Sequence, residues 1–154
     1  MKTLLLLSLT ILSVGCTAQR SSFTTITERN GNVGIGTTTP DEKLTVKGKI
    51  HTQEVIVDLK GAVAADYVFE HYFKGASTLL PSYSLPTLEE IEAYTKVNYH
   101  LPGVPSAKQM AEEGVSLKRM NLILLQKVEE LTLYTLEQQK EINTLKKEVQ
   151  KLKQ

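Results

Sequence analysis

The strongest pattern in the chain is a run of apolar residues at alternating spacings of three and four, from Leu117 to Leu152. In heptad notation, β-branched residues occupy position a and leucines occupy position d. A seam of this kind needs a partner helix to bury it, so it predicts a coiled coil. The seam residues are Leu124, Val128, Leu131, Ile142, Leu145, Val149 and Leu152.

Charged residues beside the seam favour self-association of parallel helices. Glu141 at position g precedes Lys146 at position e by five residues, and Glu148 precedes Lys153 in the same way. Such pairs meet between chains in a parallel, in-register coil. Each exposed pair contributes only about 0.2–1 kcal/mol, so the pairs select orientation and do not drive assembly. One alternative stays open: the helix folds back onto its own domain, and the charge spacing is then coincidental.

The predicted long helix, which Ser116 can cap, has two halves. In the first half apolar residues also occur outside the seam, which indicates burial against more than one neighbour. These residues are Leu122, Ile123, Leu125, Leu133 and Leu136. After Glu137 only seam positions are apolar, so the second half is predicted to project from a globular base. Three seam positions are polar: Asn121 and Thr135 at a, and Gln138 at d.

Upstream of the long helix, the sequence predicts a small strand-rich module. Asn30-Gly31 is a turn signal. Apolar and polar residues then alternate from Leu44 to Thr52, and the phase changes before Val55, which predicts a bulge or kink at residues 52–54. A sheet this small leaves edges that need covering, and copies of the same module would cover them.

Two capping boxes predict short helices between the strands and the long helix. Residues 87–90 begin one helix that runs to about Asn98, and residues 106–109 begin a helix of two turns that Gly114 closes. The aromatic segment 66–73 is predicted to pack against the helices of the chain.

The first 18 residues have the pattern of an export leader. A lysine near the start is followed by an apolar run at 4–14, too short to span a bilayer, and then by small residues. Two processing routes fit this segment. Cleavage after Ala18 would release a plain mature chain, whereas Cys16 could end a lipoprotein-like box and become acylated. The large aliphatic residue usual in such a box is absent at Ser13.

Composition gives no sign of a chemical site. The net charge is +1 and basic residues form no patch, so there is no electrostatic footprint for nucleic acid. His51, His71 and His100 are scattered and lack the spacing of metal ligands. Ser82 and Ser84, on either side of Tyr83, have no evident partner base in the sequence. We therefore expect no catalytic residue, no metal site and no cofactor.

Together these patterns predict an α+β chain in which a β-rich module and short helices precede a long helix that forms a parallel coiled coil. The predicted divisions are a signal peptide at 1–18, a linker at 19–30, a β-rich module at 31–60, a helical or irregular base at 61–116 and the coiled-coil helix at 117–154.

Several blocks in chain order are similar to those of a known family. They are residues 31–37 with Pro40 and 43–46, then 66–70, 86–90, 100–107 and 124–134. The first block resembles the repeat that precedes the end of phage tail-fibre-like proteins. The set resembles the C-terminal module of exported tail-fibre-like proteins of Bacteroidetes, over about residues 30–140. This resemblance implies an architecture more than an activity.

The resemblance extends distantly to the intramolecular chaperone domains that end phage tail spikes. Some of those domains cut themselves off with a serine/lysine pair, but this chain has no Ser-Asp dipeptide and nothing that matches that motif. Related phage proteins are trimers, whereas β-branched a with leucine d favours dimers in isolated coils. We expect a homotrimer over a dimer, because the β-module would dictate the number of chains.

The sequence thus predicts an exported, non-enzymatic structural or interaction protein that self-associates and is secreted or held at the cell surface or outer membrane. The alternative is a lipid-anchored envelope protein in which the coil acts as a spacer, and a self-cleaving chaperone is a third, weaker reading. The expected partner is the chain itself. No nucleic acid partner is expected, and a membrane is expected only if Cys16 is acylated.

Overall fold

The computed structural model describes residues 25–153. The predicted leader, with Cys16, lies outside these residues. The described residues form three strands and four helices: β1 (Ile26–Arg29), β2 (Asn32–Ile35), β3 (Leu44–Val46), α1 (Tyr67–Lys74), α2 (Leu88–Asn98), α3 (Ala107–Glu113) and α4 (Leu117–Leu152). The predicted α+β class is confirmed, with a small sheet first and a long helix last. The chain divides into two compact units, the first ending at Glu54 and the second beginning at Val55.

Strands β1 and β2 form a hairpin whose two-residue turn is Asn30-Gly31. Both turn residues have positive φ, 54° and 73°, as a type I′ turn requires. The predicted turn is therefore confirmed. Strand β1 is a feature that the sequence analysis missed, because it assigned residues 19–30 to a linker.

Strand β3 pairs with β2 in parallel, which gives the sheet order β1-β2-β3. The connection is fixed by Thr45, whose hydroxyl donates to Asp41 Oδ1 at 2.7 Å and accepts the Asp41 and Glu42 N–H groups at 3.1 Å. This hydrogen bond is the main reason why the pKa of Asp41 lies below its usual value. Gly34 is needed for close approach, since a Cβ there would lie 2.6 Å from the Thr37 carbonyl oxygen.

The alternating segment after β3 does not extend the sheet. The strand ends at Val46, and residues 47–66 contain no further strand. Exposed apolar side chains remain in this segment, among them Ile50 and Ile56, which is 91% exposed. The prediction of a longer strand with a bulge at 52–54 is wrong, because a period-two pattern shows which face can be buried but supplies no pairing partner.

Local side-chain bonds define the helix starts. The Thr87 hydroxyl accepts the Glu90 N–H at 3.2 Å, and the Glu90 carboxylate accepts the Thr87 N–H at 2.8 Å. Ser106 and Gln109 repeat this arrangement at the start of α3, and Ser116 accepts an N–H of the first turn of α4. Both predicted capping boxes and the predicted cap of the long helix are confirmed.

The core of the second unit lies where α1 packs against α4. Val68 of α1 and Leu133 of α4 have no exposed surface, and Tyr67 is 7% exposed. Partly buried side chains surround them: Phe69, Tyr72, Leu80, Tyr83 and Leu85. The predicted packing of the aromatic segment is confirmed, although the sequence analysis did not predict that the segment itself is helical. No helix in residues 25–153 is long and apolar enough to cross a membrane.

Candidate self-association surface on the long helix

Helix α4 has two faces with different surroundings. It contains 36 residues, and at 1.5 Å per residue it is about 54 Å long. Its buried residues are Glu129, Glu130, Leu133 and Tyr134. Because successive residues turn by about 100°, this buried face lies roughly opposite the seam. The contact with α1 therefore leaves the seam uncovered.

All seven predicted seam residues are exposed in the chain. Their exposed fractions range from 44% for Ile142 to 87% for Leu152. Within the described part of the chain, α1 is the element that packs against α4, and it does so on the other face. The described residues therefore do not form a fold-back arrangement that buries the seam. Cys16, the candidate lipidation site, lies outside the described residues.

The two halves of α4 differ in burial. Every residue from Thr135 to Lys153 is exposed, whereas the first half carries all the buried residues. Of the apolar residues predicted to be covered there, Leu133 is buried and two others are half-buried. Leu125 and Leu136 are 43% and 45% exposed within the chain, because α1 covers only one side of the helix; their burial against a further neighbour stays a prediction.

A buried hydrogen-bond network sets the rotation of α4 about its axis. Glu130, only 2% exposed, accepts hydrogen bonds from the Tyr83 hydroxyl at 3.2 Å and from Gln126 Nε2 at 2.7 Å. Lys127 donates to its other oxygen at 2.8 Å. The Tyr67 hydroxyl donates to Gln126 Oε1 at 2.9 Å. The bonds from Gln126 and Lys127 to Glu130 lie within α4, whereas those from Tyr83 and Tyr67 come from outside the helix. Rotating the helix would break these two bonds and leave buried polar groups unpaired, which is costly.

The tyrosines of this network act as donors. Burial raises the pKa of the Tyr83 and Tyr67 hydroxyls, and the negative charge of Glu130 adds to the effect. Burial likewise raises the pKa of Tyr134 to about 12, and its hydroxyl donates to the Pro86 carbonyl oxygen. All three hydroxyls therefore keep their protons at neutral pH and hold α4 to α1 and to the segment before α2.

Glu129 lies beside this network but is not part of it. The residue is 7% exposed, and its Oε2 atom has no hydrogen-bond partner among the described residues. Burial raises its pKa, and the nearby charge of Asp66 raises it further. Burying a charged carboxylate without a hydrogen-bond partner is unfavourable, so the ionised form of Glu129 destabilises the packing of α4 within the chain.

The burial of Glu129 and Glu130 was not predicted, because adjacent acidic residues on a helix are usually solvated. A signal was present in the chain. Leu133 lies outside the seam, and Tyr134 follows it, so a second apolar face passes through this turn. Residues one turn earlier on that face are Glu129 and Glu130, and they were candidates for burial on that ground.

A second charged anchor holds the segment after α1. The carboxylate of Glu70 accepts hydrogen bonds from the Ser77 hydroxyl at 2.7 Å, from the Thr78 N–H at 3.0 Å and from Lys74 Nζ at 3.1 Å. These bonds, with Ser77 first, lower the pKa of Glu70 to about 2. Ser77 is itself buried. The anchor fixes the return of the chain towards Tyr83 and thus supports the network around Glu130.

A cavity of about 350 Å³ lies between the residues after α2, helix α3 and the start of α4. His100 and Tyr94 meet edge to face on one side, with ring centroids 5.6 Å apart. Glu113 and Arg119 also line it. No seam residue does, so the cavity and the seam are separate features. Among residues 25–153, no group of three or more His, Cys, Asp or Glu side chains is placed to hold a metal ion.

The comparisons with known proteins returned nothing for this chain: no protein-family model, no curated protein and no solved structure matches it.

Proposed function

We propose that this protein is an exported, non-enzymatic structural protein that self-associates through the seam of α4 into a parallel homotrimer, in the manner of tail-fibre-like proteins. The observation that carries the proposal is the division of α4 into two faces. The chain buries one face with its own residues, while the seam stays exposed over seven apolar side chains. Exposed apolar stripes of this length mark interaction surfaces.

The charge pattern beside the seam supports a second copy of the chain as the occupant. Glu141, Lys146, Glu148 and Lys153 are all exposed. None of them belongs to a salt bridge within the described part of α4, although other pairs in the chain do form them. In a parallel, in-register coil each glutamate meets a lysine of a neighbouring copy. The surface is therefore complementary to itself.

The β-module supports more than one contact between copies. Strands β1 and β3 are both edges of the sheet, and Ile26 and Leu44 on them are 53% and 58% exposed. Unpaired edges and exposed apolar residues favour pairing with another chain. Together with the resemblance to trimeric phage proteins, this is the reason for proposing three chains where the seam residues alone favour two.

The leader supports export, to the medium or to the cell surface. In the second candidate function, acylation of Cys16 makes the protein a lipid-anchored envelope component, and the coil then spaces the β-module from the membrane. The Gly15-Cys16 dipeptide after the apolar run favours this candidate.

The experiment replaces Leu131 and Leu145 with lysine, which places unpaired charges in two layers of the seam. Burying such charges costs several kcal/mol. Light scattering should give three times the chain mass for the wild type and a value near the monomer for the double variant.

A matched control places the same added charges away from the seam. Asn143 and Gln150 are exposed and occupy the opposite side of the distal helix, so Asn143→Lys with Gln150→Lys should keep the wild-type mass. The proposal fails if the wild type is a monomer at micromolar concentration, or if both double variants dissociate equally.

A further inference from the structure

The seam contains three polar residues whose hydrogen bonding differs. Thr135 donates its hydroxyl hydrogen bond to the Leu131 carbonyl oxygen of the same helix at 2.8 Å. This bond satisfies the hydroxyl within the chain, so Thr135 can present its methyl group to the seam as a small β-branched residue would. Thr135 therefore needs no hydrogen-bond partner on a neighbouring helix.

Asn121 and Gln138 are different. Their side chains are exposed and make no hydrogen bond within the described part of the chain, whereas Gln126 and Gln139 on other faces of the same helix do. Each amide carries two N–H donors and one carbonyl acceptor. When the seam closes these groups lose water, and buried polar groups need hydrogen-bond partners.

The position of the amides restricts how copies can align. In a parallel, in-register coil, Gln138 lies level with Gln138 of each neighbour, and Asn121 with Asn121. Because an amide both donates and accepts, like side chains satisfy one another. A slip by one heptad would place Gln138 level with Leu131 or Leu145, where no group could accept or donate.

Antiparallel pairing is also disfavoured. Matching Asn121 of one helix with Gln138 of the other would place Leu117, the first residue of α4, level with Ile142. The apolar residues beyond that point, which are Leu145, Val149 and Leu152, would then have no opposite helix to cover them. The Glu–Lys pairs of the distal half would be lost as well.

We propose that Asn121 and Gln138 are the specificity-determining residues of the seam: they set parallel orientation and a single register by pairing with the same residues in neighbouring copies of this chain. This inference rests on the proposed self-association. A polar residue at a core position specifies register at a cost in stability. Replacing both amides with apolar residues should therefore raise the stability of the assembly while loosening its alignment.

The test uses disulfide formation between copies as a reporter of alignment. Cys16 is the only cysteine in the chain, so it is changed to serine, and single reporters are introduced as Leu117→Cys or Leu152→Cys in separate chains. The two chains are mixed in equal amounts, equilibrated in a glutathione redox buffer and separated by mass. A parallel, in-register seam gives cross-links between identical reporters only.

With Asn121 and Gln138 present, identical-reporter cross-links should dominate. In a trimer one reporter of every three stays uncross-linked, so the measure is the ratio of mixed to identical-reporter cross-links. In chains that also carry Asn121→Val and Gln138→Leu, this ratio should rise roughly tenfold, which corresponds to about 1.4 kcal/mol, and the melting temperature should rise. The control, Asn143→Val with Gln150→Leu, makes similar changes off the seam and should leave the cross-link pattern unchanged.

The outcomes separate the two proposals. If the wild type is an oligomer and the amide variant keeps the wild-type cross-link pattern, the role of Asn121 and Gln138 is refuted while self-association stands. If the control loosens alignment as much as the amide variant does, the inference also fails. A wild-type monomer, seen by mass before any cross-linking, overturns self-association itself.

Discussion

Substitutions at two leucines of α4 can distinguish the stability of the single folded chain from the stability of the assembly. Leu133 has no exposed surface and belongs to the core with Tyr67 and Val68. Leu131, two residues earlier, is 64% exposed and lies in the seam. Replacing either with alanine removes the same atoms from the same helix. Any difference between the two variants therefore reports the surroundings of each side chain.

The expected cost follows from burial. Leu133→Ala leaves a cavity in a closed core, and such changes cost about 2–5 kcal/mol. For a unit of about 100 residues each kcal/mol lowers the melting temperature by about 4–8 °C, so the midpoint should fall by roughly 10 °C or more. Leu131→Ala in the isolated chain should cost at most about 0.5 kcal/mol, because the side chain is mostly in water already.

The assay is thermal unfolding by circular dichroism at two protein concentrations about a hundredfold apart. Leu133→Ala should lower the midpoint similarly at both concentrations, since it acts within one chain. Leu131→Ala should lower it mainly at the higher concentration, where the seam is closed, because assembly stabilises by mass action. The volume-conserving change Leu133→Met should cost less than about 1.5 kcal/mol and serves if the alanine variant does not fold.

One result would refute this reasoning. If Leu131→Ala lowers the midpoint as much as Leu133→Ala does, and equally at both concentrations, then the seam residues are buried within the chain. The two-faced description of α4 would then be wrong.

Three further predictions concern charge and processing. The lowered pKa of Glu70 means that its carboxylate stabilises the fold at pH values above 4.5, its ordinary pKa, and that this stabilisation is lost as the pH falls towards 2. Glu70→Gln should therefore make the melting temperature fall less steeply over that pH range. An unchanged slope would contradict the role of Ser77 and Lys74. The raised pKa of Glu129 has the opposite effect on stability, because ionisation of this carboxyl destabilises the fold as pH rises above 4.5. Glu129→Gln should therefore raise the melting temperature at pH 7. A fall in melting temperature there would show that the charged form is paired. Intact mass of the protein from an exporting host should show loss of residues 1–18, or loss of 1–15 with acyl chains on Cys16; a chain that keeps its leader would contradict export.

The parts of the fold that the sequence predicted are those set by neighbouring residues. The capping boxes at Thr87 and Ser106 and the Asn30-Gly31 turn depend on contacts within four residues, and the structure has all three. The long helix was predictable because its apolar period is sustained over many turns.

The parts that were missed depend on distant residues. Strand β1 is short and mostly polar, and its order comes from pairing with β2. Helix α1 gains its stability from packing on α4, which its own sequence does not reveal. The segment after β3 has a strand pattern but no ladder partner of its own in the sheet, so it stays irregular.

The same distinction applies to the seam. Its residues were identified from spacing alone, and the structure places all seven on one exposed face. The network around Glu130 was not predicted, because burial of a glutamate depends on Tyr83 and Lys127 meeting it. That network decides which way the seam points, and the heptad pattern cannot do so.

The most direct test of the central proposal is the mass of the intact assembly, measured by native mass spectrometry on the wild-type chain at micromolar concentration. Self-association through the seam predicts a single species at three times the chain mass. A species at the mass of one chain would contradict it.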